Sequence, residues 1–124
     1  MSRILVCDDS AFMRMMLKKL LTEKGHEIVG EAGDGKQAVQ LYRQHKPDLV
    51  TMDITMPIMD GIEAVKHIHE EDTQARIIMV TAIGQRSIIT DAIKAGASGF
   101  IIKPFEPEQV DETVNKVLAG SNIS

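Results

Sequence analysis

The chain has 124 residues, of which 44% are hydrophobic and 26% are charged, and this is typical of one globular domain with one continuous core. Its apolar runs are too short to span a bilayer and no signal peptide is visible, so we expect a cytoplasmic protein without membrane insertion. A net charge of −4, with Lys and Arg dispersed through the chain, argues against nucleic-acid binding.

Five short apolar runs predict β-strands. They occupy residues 4–7, 28–31, 49–52, 77–81 and 100–102. Most of these runs are continuously hydrophobic, which is typical of strands in a parallel sheet that is covered on both faces. The single cysteine, Cys7, lies in the first run, so we predict a buried thiol there.

Segments with the helical spacing of apolar residues separate the predicted strands. These apolar positions fall within residues 13–21, 38–42, 62–68, 88–93 and 110–118. Gly25, Gly96 and Gly120 are predicted stop signals, Pro107 suits a first helical position, and Asp60 begins a capping pair with the residue three positions later. The alternation predicts one (βα)₅ domain over residues 1–124, with a doubly wound, five-stranded parallel sheet.

Chemically active side chains follow the predicted strands. Asp8 and Asp9 follow the first strand, Asp53 follows the third, Thr81 ends the fourth, and Lys103 follows the fifth. Ligands of such sheets bind beyond the carboxyl ends of the strands, where the strand order reverses. We therefore expect three carboxylates, one hydroxyl and one ammonium to converge at that edge.

This set of residues indicates phosphoryl chemistry with a metal. Three clustered carboxylates repel one another and need a cation, and Mg²⁺ prefers a few carboxylates together with water and phosphate oxygens. Asp9 and Asp53 are expected as direct ligands, and Asp8 as a ligand through water. Asp53 is the expected nucleophile, because a carboxylate attacks phosphorus without a general base, while Thr81 and Lys103 would neutralise the acyl phosphate.

The same residues carry a family resemblance over the whole chain. Asp8-Asp9, the stretch MDITMPIMDG at residues 52–61, Thr81-Ala82 and Lys103-Pro104 together resemble the receiver domain of bacterial two-component response regulators. Residues 11–17 (AFMRMML) are similar to the single-domain chemotaxis regulators of Gram-positive and thermophilic bacteria. The resemblance implies a flavodoxin-like fold with the strand order 2-1-3-4-5.

The resemblance also implies roles for individual residues. Asp53 would be phosphorylated, and the backbone carbonyl of Thr55 would join the Mg²⁺ ligands. Thr81 and Phe100 would form the switch, and the peptide bond before Pro104 would be cis. Thr55 and Ile83 would border the path of the water that hydrolyses the phosphoryl group, so the apolar Ile83 predicts slow self-dephosphorylation.

Partners follow from the same resemblance. We expect phosphate from a chemotaxis-type histidine kinase, output to the flagellar motor switch protein, and termination by a phosphatase. The output surface would be the fourth helix, the fifth strand and the fifth helix. The protein is expected to be a monomer that assists its own phosphorylation and dephosphorylation, with no turnover of an outside substrate.

Three alternatives remain open from the sequence. A phosphorelay intermediate would pass the phosphate to another histidine. A haloacid-dehalogenase-like phosphatase would need a second Asp two residues after the nucleophile, where this chain has Thr55. A flavodoxin-like binding module would need a hydroxyl- and glycine-rich loop after the first strand, where this chain has Asp8-Asp9-Ser10-Ala11.

Overall fold

The computed structural model describes residues 2–120, so the predicted domain bounds of 1–124 extend beyond the described residues at both ends. The strands are β1 (Arg3–Cys7), β2 (Glu27–Ala32), β3 (Leu49–Met52), β4 (Ile77–Thr81) and β5 (Gly99–Ile102). The helices are α1 (Ala11–Glu23), α2 (Gly35–His45), α3 (Gly61–Glu71), α4 (Arg86–Ala95) and α5 (Pro107–Leu118). The predicted alternation is confirmed. None of the helices within residues 2–120 has the length and apolar character needed to cross a membrane.

The five strands form one sheet in the order β2-β1-β3-β4-β5, and every neighbouring pair is parallel. From β1 the chain adds β2 on one side, and from β3 onward it adds strands on the other side. The order therefore reverses between β1 and β3, which are the two strands that carry Asp8 and Asp53 at their carboxyl ends. The predicted flavodoxin-like fold is confirmed.

Helices cover both faces of the sheet. The face covered by α2, α3 and α4, called the α4 face below, buries Leu5, Cys7 and Met79 among other residues. The face covered by α1 and α5, called the α1 face, buries Ile4 and Val6 with residues of those helices. Because side chains alternate along a strand, every β-strand contributes to both cores. Cys7 is buried as predicted, and burial raises the pKa of its thiol, with the charge of Asp8 adding to the shift.

Polar caps start three of the helices near the carboxyl edge of the sheet. The Ser10 hydroxyl accepts the N–H of Met13 at 3.2 Å, and Asp34 caps α2 in the same way. The predicted capping pair at α3 is half right. Asp60 accepts the N–H of Glu63 at 2.9 Å, but the Glu63 carboxylate lies 3.4 Å from the His67 ring nitrogen and does not return to the cap. These caps hold the loops that lead into α1, α2 and α3.

Candidate functional site

Three carboxylates meet at the carboxyl edge of the two central strands. Asp8, Asp9 and Asp53 each place one carboxylate oxygen so that these oxygens lie within 4.8 Å of one another. Asp8 is 1% exposed and Asp53 is 6% exposed, whereas Asp9 is exposed to solvent. The sequence prediction that these residues converge agrees with this geometry, and the cluster opens to solvent on the side of Asp9.

Lys103 bridges the two buried carboxylates. Its Nζ donates to Asp8 Oδ2 at 2.7 Å and to Asp53 Oδ2 at 3.1 Å. Burial by itself lowers the pKa of Lys103, but the hydrogen bonds and the charges of Asp8 and Asp53 outweigh burial and leave this pKa above its ordinary value. The ammonium is therefore charged at neutral pH and holds the two aspartates together.

Backbone groups orient the same two carboxylates. The N–H of Ser10 donates to Asp8 Oδ1 at 2.9 Å, and the N–H of Thr55 donates to Asp53 Oδ1 over a longer 3.4 Å. The backbone N–H of Asp53 donates to the Cys7 carbonyl at 3.0 Å, which continues the pairing of β1 with β3. Each buried carboxylate thus has one oxygen toward a backbone donor and one toward Lys103.

The loop between β3 and α3 is packed tightly against its neighbours. A Cβ on Gly61 would lie 1.9 Å from the Asp53 carbonyl oxygen, and a Cβ on Gly35 would lie 2.1 Å from the Met59 carbonyl oxygen. Both positions therefore require glycine. Between them, Ile58 has a φ of 71° and is 79% exposed, which is uncommon for a β-branched residue. The sequence reasoning missed these features. The contact of Gly35 with Met59 joins segments that are distant along the chain, and the close approach of Gly61 to Asp53 depends on the conformation of the loop between them.

The two predicted switch residues lie on the α4 face. Thr81 is 1% exposed, and its hydroxyl oxygen accepts the N–H of Ile83 at 3.3 Å. Phe100 is partly buried and packs against the α4-face core. The backbone N–H of Lys103 donates to the Thr81 carbonyl at 2.8 Å, so the ends of β4 and β5 are joined. The Lys103-Pro104 peptide bond is cis, as the resemblance implied.

The donor set fits a hard divalent cation. Three carboxylates against one ammonium leave a net charge of two negatives, and every donor in the cluster is oxygen. Oxygen donors of this charge suit Mg²⁺, which keeps several waters and takes few protein ligands. Thr55 follows Asp53 by two residues and is exposed, and its carbonyl remains a predicted ligand.

One cation beside the cluster was missed from the sequence. Arg14, in α1, donates from Nη1 to the carbonyl oxygen of Asp8 at 2.6 Å. Nothing in the sequence distinguishes this arginine from a solvated surface charge, because the contact depends on where α1 lies relative to the loop that precedes it.

Sequence and structure comparisons find response regulators among the proteins similar to this chain. Residues 4–115 match the response regulator receiver domain family. The chain is 60% identical to the chemotaxis protein CheY of Bacillus subtilis, over 94% of this chain and 97% of that protein. It is 55% identical to CheY of Thermotoga maritima, over 93% and 96% of the two chains. A crystal structure of a CheX-CheY-BeF₃-Mg²⁺ complex from Borrelia burgdorferi aligns with a TM-score of 0.91 at 40% identity, covering 93% of this chain and 87% of that one.

Proposed function

Because the chain belongs to the response regulator receiver domain family, we propose that it accepts a phosphoryl group on Asp53, with Mg²⁺ bound, and signals through a protein contact in chemotaxis. The observation that carries the proposal is the cluster of Asp8, Asp9 and Asp53 within 4.8 Å, bridged by Lys103. Asp53 is the member of the cluster that directly follows the third strand, and Thr81 ends the fourth strand, which pairs with the third in parallel.

The chemistry at Asp53 is a phosphoryl transfer. A carboxylate oxygen of Asp53 bonds to phosphorus while the bond from phosphorus to the donor breaks, and the donor histidine leaves as imidazole. Mg²⁺, when bound, supplies positive charge to the phosphoryl oxygens. Lys103 lies 3.1 Å from Asp53 and can donate to the same oxygens. The Thr81 hydroxyl oxygen serves as an acceptor here, so its hydrogen is available to donate to a phosphoryl oxygen.

Asp8, Asp9 and Asp53 are the proposed metal-binding side chains, with the Thr55 carbonyl as a further ligand. Asp9 is the exposed member of the cluster and is placed to take the cation from solvent. The Borrelia CheX-CheY complex contains Mg²⁺ together with BeF₃, whose shape and charge imitate a phosphoryl group. This supports binding of Mg²⁺ and a phosphoryl group at the present site.

Signalling then follows from rearrangement at Thr81 and Phe100. Phosphorylation draws the Thr81 hydroxyl toward the new oxygens, and Phe100 turns inward beside it. Both side chains lie on the α4 face, so the change reaches α4 and β5. The phosphoryl group makes different contacts in the two conformations, and this difference shifts the equilibrium between them. The surface of α4, β5 and α5 would present the output.

The relatives support the proposed partners. Two chemotaxis CheY proteins match nearly the full chain at 55% identity or more, which favours a chemotaxis histidine kinase as donor and the flagellar motor switch protein as target. The Borrelia complex pairs a CheY with CheX, which supports the proposal that a further protein, besides the kinase and the motor target, binds the regulator. The phosphatase remains part of the proposal. A monomer in the cytoplasm that turns over no outside substrate fits these partners.

The proposal is tested by phosphorylation with acetyl phosphate and Mg²⁺, read by intact-protein mass spectrometry. Wild type should gain one phosphoryl group, and Asp53→Asn should gain none. Asp60→Asn is the matched control, because it removes a carboxylate from the same loop while asparagine still caps α3. Full labelling of Asp53→Asn, or loss of labelling in the control variant alone, would contradict the assignment.

A further inference from the structure

Arg14 is a charged residue of α1 that the proposed chemistry leaves without a role. Its Nη1 donates to the Asp8 carbonyl oxygen at 2.6 Å, and its Nε donates to Glu31 Oε1 in β2 at 3.0 Å. We infer that Arg14 is a positioning residue, which fixes the loop between β1 and α1 so that the carboxylates of Asp8 and Asp9 meet the divalent cation. This inference rests on the proposed metal site.

The contact acts on the peptide group that joins the two aspartates. A peptide unit is planar, so fixing the carbonyl of Asp8 also fixes the direction in which the chain enters Asp9. The other side of Asp8 is held as well, since its backbone N–H donates to the Ala32 carbonyl at 2.9 Å. Of the three clustered aspartates, Asp9 is the exposed one, and the peptide before it is oriented by Arg14.

The guanidinium is itself held in place. Glu31 accepts from Arg14 and also from Lys18 Nζ, which lies one turn further along α1 at 2.7 Å. The hydrogen bond from Lys18 is the main reason that the pKa of Glu31 lies below its ordinary value; partial burial opposes this, and Arg14 adds to it. Glu31 is therefore ionised at neutral pH. The planar fork of arginine lets one side chain reach both a carbonyl and a carboxylate, which a lysine ammonium cannot do with the same geometry.

Removal of Arg14 should change the Mg²⁺ affinity in opposite directions, depending on whether Arg14 acts through its charge or by positioning the loop. A cation beside a metal site repels the metal, so if Arg14 acted only through its charge, its removal would strengthen Mg²⁺ binding. If Arg14 acts by orienting the loop, its removal weakens Mg²⁺ binding. Outer residues that orient metal ligands typically change metal affinity by about tenfold to a hundredfold. The sign of the change therefore separates the two roles.

The test is a Mg²⁺ titration of the folded protein, followed by amide NMR shifts, without any phosphodonor. Arg14→Met is expected to raise the Mg²⁺ dissociation constant roughly tenfold. Lys18→Met is the matched control. Lys18 lies on the same helix, carries the same charge and donates to the same carboxylate, that of Glu31, but its hydrogen bond is to Glu31 and not to Asp8. The control should stay within about twofold of wild type. Glu31→Met should fall between the two variants, since it removes the acceptor of the Arg14 Nε hydrogen bond and leaves the hydrogen bond from Arg14 to the Asp8 carbonyl in place.

The outcomes are distinct. Unchanged or tighter Mg²⁺ binding by Arg14→Met overturns the positioning role, as does equal weakening in Arg14→Met and Lys18→Met. The NMR shifts report folded molecules, so a variant that is merely less stable keeps the wild-type dissociation constant and also counts against the inference. If wild type itself does not bind Mg²⁺, the proposed metal site fails, and that result is recognised before any variant is compared.

Discussion

The two faces of the sheet are built from different side chains. The buried cluster of the α1 face consists of Ile, Leu and Val alone, whereas the cluster of the α4 face also contains alanines and methionines. Valine and isoleucine are restricted at χ1, whereas methionine is unbranched and flexible and fills irregular gaps. Thr81 and Phe100 lie on the α4 face. This difference supports the proposal that the α1 face is the rigid one and that the α4 face rearranges on phosphorylation.

The two faces also differ in the hydrogen bonding of a buried threonine, Thr51 on the α1 face and Thr81 on the α4 face. Thr51 in β3 lies beside Val6 and Ile78 of the α1 face, and Thr81 in β4 lies on the α4 face. Both are 1% exposed. The Thr81 hydroxyl accepts the N–H of Ile83, whereas the Thr51 hydroxyl has no hydrogen-bond partner among residues 2–120. A buried polar group without a partner costs stability, so the Thr51 hydroxyl is expected to destabilise the α1 face, whereas the proposed role of Thr81 is in the switch.

The largest expected effect is on stability in the α1 face. Leu17 is 1% exposed, and Leu17→Ala should lower the free energy of unfolding by about 2–5 kcal/mol, because it leaves a cavity among branched side chains. Met79→Ala is the matched truncation on the α4 face, at a residue that is 0% exposed, and it should cost less than Leu17→Ala because flexible neighbours there can fill more of the cavity. Urea unfolding followed by circular dichroism measures both. Similar losses in the two variants would remove the contrast in packing.

The next largest effect concerns the ion pairs of Lys103 with Asp8 and Asp53 at the carboxyl edge of the sheet. Lys103→Met leaves Asp8 and Asp53 without their shared ammonium and should lower stability in EDTA by about 1–3 kcal/mol. Because folding raises the pKa of Lys103, its contribution is complete below the ordinary lysine pKa of about 10.4 and is lost as pH rises through the higher value in the folded protein.

The difference in unfolding free energy between wild type and Lys103→Met should therefore stay constant at neutral pH and shrink in the alkaline range. Comparing the two proteins at each pH cancels the other lysines and the tyrosine. A difference that disappears below pH 9 would show that Lys103 is not held by these carboxylates. Added Mg²⁺ should recover part of the stability of the variant, because the cation replaces the missing positive charge.

The threonine pair predicts a smaller effect with opposite signs. Thr51→Val should raise the free energy of unfolding by about 1 kcal/mol, since it removes a hydroxyl without a partner. It should leave phosphorylation and the response unchanged. Thr81→Val should still be phosphorylated on Asp53 but should lose partner binding on phosphorylation. Destabilisation by Thr51→Val, or a normal response in Thr81→Val, would contradict the roles assigned to the two faces.

The smallest expected effect is on the lifetime of the phosphoryl group. Ile83 is apolar and partly buried against the α4 face, so it cannot orient a hydrolytic water. Ile83→Glu, alone or with Thr55→Asn, should speed the decay of phosphorylated protein by roughly threefold or more. The decay is timed by mass spectrometry after the donor is removed, with circular dichroism as the check on folding. Equal or slower decay would exclude water positioning at these residues.

Local pattern and topology together account for most of the fold and for the convergence of the site. The continuous apolar runs place each strand end to within one residue, because a parallel sheet buries both faces of its strands. Parallel strands also place their carboxyl ends at one edge of the sheet, and this brings Asp8, Asp53 and Lys103 together although they are far apart in sequence. The contacts that the sequence does not reveal are those set by packing between elements. Gly35 against Met59, the left-handed Ile58, and Arg14 on the Asp8 carbonyl each depend on how two segments approach.

The most direct test of the account is hydrogen exchange of the protein with and without Mg²⁺ and beryllium fluoride, compared amide by amide. We expect altered protection in α4 and β5 and in the loops that carry Asp53 and Thr81, while the amides of α1, which packs on the α1 face and is not part of the proposed output surface, stay unchanged. Equal changes on both faces, or changes confined to the three aspartates and their neighbours, would contradict the claim that the α4 face is the part of the molecule that responds.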